Sequence, residues 1–148
     1  MRIRKISSLG FTLIELMVVI AIIGILMAAG VLAFTNAQQQ ARDSRRRADI
    51  NAIQKAMEQH YYNNGNLYPA ANPGTAIGVY FPNGQVPVDP RGSVAYSLTV
   101  NAGGTLYCTC ALLEKVGKGN ATTAGAAGAC AYGGTALTAN YFCASQLQ

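Results

Sequence analysis

Acidic residues are scarce in this chain: only six occur, Glu15, Asp43, Asp49, Glu58, Asp89 and Glu114, beside a single histidine, His60. They are scattered rather than paired, so general acid–base chemistry has no constellation to work with and an enzyme is not expected. No cysteine precedes Cys108 and no C-x-x-C is present, which excludes a thioredoxin-like redox pair. No proline precedes Pro69, and no charge falls anywhere between Leu16 and Phe34. That last absence is the informative one.

The uncharged stretch is 19 residues long, and at 1.5 Å per residue a helix of that length crosses a hydrocarbon core of about 30 Å. Ahead of it lies a short polar leader, residues 1–10, carrying Arg2, Arg4 and Lys5, a bias that favours a cytoplasmic N-terminus. One carboxylate, Glu15, stands at the membrane edge with no Lys or Arg within ten residues on its C-terminal side. A poorly solvated carboxylate costs a few kcal/mol even on the mildest insertion scales, so it needs a partner. A free amine at Phe11, created by cutting after Gly10, would supply one, since residue 15 lies about one helical turn, roughly 6 Å, from residue 11. A secretory signal peptide cut near Ala28-Ala29-Gly30, or a plain single-span anchor, would leave Glu15 unexplained.

At Gly10-Phe11-Thr12-Leu13-Ile14-Glu15 and the apolar run behind it, the chain resembles the type IV pilin family, including the pseudopilins of type II secretion. The resemblance implies that a prepilin peptidase cleaves between Gly10 and Phe11 and N-methylates Phe11. It further implies that Glu15 pairs with a neighbouring subunit's amine during polymerisation on an inner-membrane assembly platform. Two departures matter: the spine has no proline, so a proline-centred kink does not carry over, and no acid follows Glu114, so the C-terminal calcium ligands of major pseudopilins are missing. Gly24 and Gly30 mark either bending points or close helix packing in the spine.

Beyond the apolar run the helical pattern continues. Ala41, Ala48, Ala52, Ile50, Ile53, Met57 and Tyr61 recur at spacings of three and four, while Asp49, Asn51, Gln54, Lys55 and Glu58 take the other faces. Asn63-Asn64-Gly65-Asn66 supplies a stop, and Pro69 forbids easy restarting. Residues 67–91, rich in Pro, Gly and Asn, read as a loop with short extended pieces, closing in a type I turn at Asp89-Pro90-Arg91-Gly92. Val94 to Val100 and Thr105 to Leu113 alternate as strands of a hairpin turning at Asn101-Ala102-Gly103-Gly104, and a third strand is expected around Asn140 to Cys143.

The expected architecture is therefore α+β: a long N-terminal helix, membrane-spanning in one half and amphipathic in the other, packed on a small antiparallel sheet. Its divisions are a leader at 1–10, a transmembrane and filament-core helix at 11–35, the amphipathic half at 36–64, and a globular head at 65–148. Residues 117–136, dominated by Gly, Ala and Thr, bury too little to fold alone. Cys108, Cys110, Cys130 and Cys143 provide the missing constraint as two disulfides, because an even count in an exported domain reads as a staple framework. Cys108 and Cys110 share one strand face and are poorly placed to bond each other, so each pairs with Cys130 or Cys143, in either order. The spacing lacks the C-x₂₋₄-C pairs of structural zinc sites, and neither metal nor cofactor is expected.

The formal charge is +5, but Arg2, Arg4 and Lys5 supply three of those charges, leaving +2 after cleavage. Arg42, Arg45, Arg46 and Arg47 form the dense basic patch, a candidate surface contact for lipid headgroups, with nucleic acid disfavoured. Local pairs Asp43–Arg47 and Arg45–Asp49 are expected to blunt it. The asparagine of Asn120-Ala121-Thr122 is a weak candidate for glycosylation. The function expected is a structural subunit of a type IV pilus-like filament, a homopolymer, made as a single-pass inner-membrane precursor and then extracellular. The alternatives are a minor pilin, tip adhesin or DNA-uptake pilin, or a type II secretion pseudopilin.

Overall fold

A computed structural model describes residues 10–135 and 137–147, so the leader's Arg2, Arg4 and Lys5 lie outside the described residues. One helix, α1, runs from Leu13 to Asn63, built from Leu, Ile, Met and Ala with no proline to interrupt the hydrogen-bond ladder. It stops where expected: Asn66 N–H donates to the Tyr61 carbonyl at 3.0 Å while Gly65 and Asn66 take positive φ values of 68° and 60°. The chain divides into two units, the first ending at Ala37 and the second beginning at Gln38.

In the first unit the apolar side chains find no cover. Phe11 is 87% exposed and Ile25 72%, and a Cβ added at Gly24 or Gly30 would touch nothing. Among the described residues, α1 is the helix long and apolar enough to cross a membrane.

The second unit is layered. Its sheet has the order β1-β2-β3, with β1 at Ser97–Val100, β2 at Tyr107–Leu112 and β3 at Tyr141–Ser145, all antiparallel. Because side chains alternate along a strand, β2 offers Tyr107 and Ala111 to one face and Cys108 and Cys110 to the other. The first face, joined by Leu98, Val100, Phe142 and Ala144, packs against Ile50, Ile53, Ala56 and Met57 of α1. The second is covered by the 117–136 loop, whose Ala121, Ala124 and Cys130 pack on Cys108, Cys110 and Cys143. That loop lies directly on β3: a Cβ at Gly119 would collide with the Tyr141 carbonyl, and Asn120 and Ala121 N–H both donate to that same oxygen.

Four expectations need correction. β1 begins at Ser97 rather than Val94, because Ala95 bridges Val88 instead of joining the sheet. The proline-rich connection contains helical turns, α2 at Pro73–Ile77 followed by 3₁₀ turns at Gly78–Tyr80 and Pro82–Gly84, since Pro73 and Pro82 sit at helix starts where a missing N–H costs nothing. The turn at Asp89 closes one residue wider than a β-turn, with Ser93 N–H donating to the Asp89 carbonyl at 3.0 Å and Arg91 N–H to the Asp89 carboxylate at 2.8 Å. Glu58, assigned to the polar face, is buried and accepts hydrogen bonds from the hydroxyls of Tyr68 and Tyr107, each 3.0 Å from Oε1. Burial among Tyr68 and Tyr107 is tolerable because the carboxylate's lone pairs are satisfied, with Leu147 N–H a third donor at 3.3 Å.

Candidate assembly helix and the charged collar of the head

At the start of α1 the sequence Thr12-Leu13-Ile14-Glu15 folds as a reciprocal cap. Thr12 N–H and its hydroxyl donate to Glu15 Oε2 at 2.9 and 2.7 Å, and Glu15 N–H returns a bond to Thr12 Oγ1 at 3.3 Å. The carboxylate is thus held by neutral donors within its own chain, with no cation on it among the described residues. Phe11, Ile14, Glu15, Val18 and Val19 together line a shallow depression on this end of the helix.

The four arginines do not stay together. Arg42 forms a two-pronged pair with Glu114, Nε to Oε1 at 2.7 Å and Nη2 to Oε2 at 2.6 Å. Arg46 is buried and central: Nε and Nη2 bind the two oxygens of Asp89 at 2.6 and 3.0 Å, while Nη1 reaches Asp43 at 2.8 Å and Glu114 at 2.9 Å. Asp43 also accepts Glu114 N–H at 2.9 Å and Lys115 N–H at 3.0 Å, clamping the segment after β2 onto α1. Arg47 donates to the Lys118 carbonyl and lies 5.1 Å from the centre of the Phe142 ring. Only Arg45 projects freely into solvent, and neither expected local pair forms, since Asp43 turns to Arg46 and Asp49 accepts the Tyr96 hydroxyl at 2.8 Å.

The collar reshapes protonation. Hydrogen bonds from Arg42, reinforced by Arg46, pull Glu114 from 4.5 down to about 2. The Arg46 guanidinium likewise holds Asp89 below the usual carboxylate range, and Arg46 itself is driven further toward its charged form. Burial, then Asp49, pushes the Tyr96 phenol up, so it remains a neutral donor.

The cysteines join as Cys108–Cys130 and Cys110–Cys143, with Cα separations of 5.2 and 4.1 Å. Cys110 and Cys143 are direct cross-strand partners in the β2–β3 register, which decides the order that spacing alone leaves open. All four sulfurs lie within 4.8 Å of one another, close enough to surround a zinc ion, but each is consumed in an S–S bond and no thiolate remains as a ligand. Asn120 does not present a free amide for modification: its side chain donates to the Cys143 carbonyl at 2.8 Å and accepts Cys143 N–H at 2.7 Å. His60 rests edge-on to Tyr80, with centroids 6.4 Å apart and no acid beside it to tune it as a base.

Comparison with known proteins adds the decisive observations. A family model described as a prokaryotic N-terminal methylation motif matches residues 7–31, the stretch that holds Gly10, Phe11 and Glu15. Over 98 residues the chain is 35% identical to the type II secretion system core protein G of Pseudomonas aeruginosa, an alignment covering 57% of this chain and 68% of that protein. The chain belongs to the type IV pilin and pseudopilin family. A type IV major pilin protein of Neisseria gonorrhoeae is 36% identical over 94 residues, 64% of this chain and 40% of that protein. A fimbrial protein of Eikenella corrodens is 32% identical over 108 residues, 73% of this chain and 64% of that protein. The match thus spans well under half of the gonococcal relative and just under two thirds of the Eikenella one. No solved structure matches the chain. The family is a structural one, and both the prepilin motif and the apolar helix fit a membrane-anchored precursor that becomes a filament subunit.

Proposed function

We propose that the chain is a structural subunit of a type IV pilus-like filament, cleaved after Gly10 by a prepilin peptidase, N-methylated at Phe11 and polymerised through α1. The observation that carries this is the first half of α1, apolar and exposed on every face, with Glu15 its lone charge. Such a surface is stable only in lipid or inside a bundle of identical helices. Moving from one to the other gains packing rather than dewatering, so the ion pair acts more on register than on affinity.

The Thr12–Glu15 cap supports a partner exchange. Neutral donors hold the carboxylate while the subunit waits in the inner membrane. The amine released at Phe11 then offers a neighbouring subunit a charge-assisted bond, roughly twice as strong as a neutral one. An inner-membrane platform would feed subunits one at a time, and disulfide-stapled heads would face water outside the cell.

The test has two parts. N-terminal sequencing of sheared filaments should begin at Phe11, and Glu15→Ala should leave insertion and cleavage intact while filaments vanish. Filaments at wild-type yield from that variant would refute the mechanism. A second reading, a secretion pseudopilin, is favoured by the extent of the Pseudomonas alignment. Deleting the gene separates the two: lost protein secretion with no surface appendage means pseudopilin, and lost appendage with secretion intact means pilus.

A further inference from the structure

The second unit holds five carboxylates, and every one is already engaged. Asp43, Asp89 and Glu114 serve the arginine collar, Asp49 takes the Tyr96 hydroxyl, and Glu58 takes two tyrosines and Leu147 N–H. Among the described residues, Arg45, Arg47, Lys55, Lys115 and Lys118 have no carboxylate within ion-pair distance. Three of those five line one groove of about 350 Å³, walled by Gln40, Ser44 and Arg47 on α1 and by Lys115 and Lys118 on the segment after β2.

The groove is built rather than incidental. The Asp43 carboxylate, which forms its floor, receives Lys115 N–H and Glu114 N–H and so fixes the lysine-bearing segment against the helix. Arg47 is held between the Lys118 carbonyl and the Phe142 ring. Asp43 cannot neutralise the groove, because Arg46 already takes its negative charge from the far side. What remains is a polar recess with a planar guanidinium and two ammonium groups, a donor set suited to a phosphate.

We propose that the Arg47–Lys115–Lys118 groove binds the phosphate of an anionic phospholipid headgroup while the subunit is a membrane precursor. Charge complementarity selects an anion. Its source follows from the helix wall, which begins at Gln40, six residues after Phe34 closes the apolar run, in the same unbroken α1. Basic groups immediately beyond a membrane-spanning segment are where anionic headgroups concentrate, and their attraction fades within a Debye length. The proposal rests on the membrane-precursor reading and adds to it a specific lipid contact made by Lys115 and Lys118, residues outside the arginine run.

The experiment uses the full chain in micelles of an uncharged detergent, titrated with short-chain phosphatidylglycerol, short-chain phosphatidylcholine, inorganic phosphate or a single-stranded oligonucleotide. Native mass spectrometry counts the adducts, and amide shifts of residues 114–118 locate them. Phosphatidylglycerol should bind one per chain, at least tenfold more tightly than phosphatidylcholine, and weaken as salt rises. Lys115→Gln with Lys118→Gln should lose that preference, whereas Lys115→Arg with Lys118→Arg should keep it, which controls for folding. Equal binding of the two lipids, or of inorganic phosphate, or preference for the oligonucleotide, would overturn the proposal. Filament assembly is scored separately in the Gln variant, so loss of the lipid preference from a protein that still polymerises leaves the filament reading standing.

Discussion

The two units of this chain treat their polar and apolar groups in opposite ways. Below Ala37 nearly every large side chain is apolar and uncovered, from Phe11 at 87% exposed to Phe34 at 63%, while in the second unit Ile50 and Met57 are wholly buried. Carboxylates differ in the same sense. Glu15 has only Thr12, whereas Glu114 has Arg42, Arg46 and the edge of Arg91 at 3.8 Å. The lesson is that one unit is complete as a folded object and the other is a surface awaiting lipid or other subunits. Substitutions in the first should therefore be read out in assembly, and substitutions in the second in stability.

The largest expected effect comes from the incomplete unit. Glu15→Ala should abolish filament yield by electron microscopy of sheared material while leaving the melting temperature of the head unchanged; a matching loss of head stability would erase the contrast between the units. Next, Arg46→Gln strips the buried guanidinium from three carboxylates, and breaking a buried pair costs about 3–5 kcal/mol, measurable by urea unfolding of the detergent-solubilised chain. Replacing Cys108 and Cys130 together by Ser should cost roughly 2–4 kcal/mol, because the 117–136 loop loses one of its two staples. An intact unfolding midpoint after that replacement would mean the loop packs on the sheet unaided.

The smallest effect is a pH dependence that should belong to the second unit alone. Glu114 and Asp89 have folded-state values below their unfolded ones, so their contribution is fully present above about pH 4.5 and is lost as pH falls toward about 2. The head's melting temperature should decline through that window. The decline should be shallower in Arg46→Gln, which removes the partner that depresses Asp89. An equally steep decline in the variant would place the acid sensitivity elsewhere.

Local chemistry made much of the fold legible. The stop at Asn63, the hairpin around Asn101 and the third strand each follow from residues within a few positions of one another. Hairpin closure is a case in point: Asn101 Oδ1 accepts Thr105 and Leu106 N–H at 2.8 and 3.0 Å, an interaction spanning five residues. The errors fell where partners are distant. Glu58 reads as a solvent-facing residue on a helical wheel, and its burial depends on Tyr107, 49 positions away. Arg46 reads as part of a phosphate-seeking run, and its sequestration depends on Asp89 and Glu114, 43 and 68 positions away. Lys115 and Lys118 carried no signal as isolated lysines and gained one only when Asp43 drew their backbone to the helix.

By itself the sequence determined the assembly chemistry, because a 19-residue apolar run, one carboxylate and a glycine before Phe11 need no tertiary context to act in a membrane. Tertiary structure alone decided which cation meets which anion, which cysteine meets which, and which lysines are left over. Those choices depend on distances across the head between residues far apart in the chain, and the spacing of charges and thiols along a polypeptide does not encode such distances.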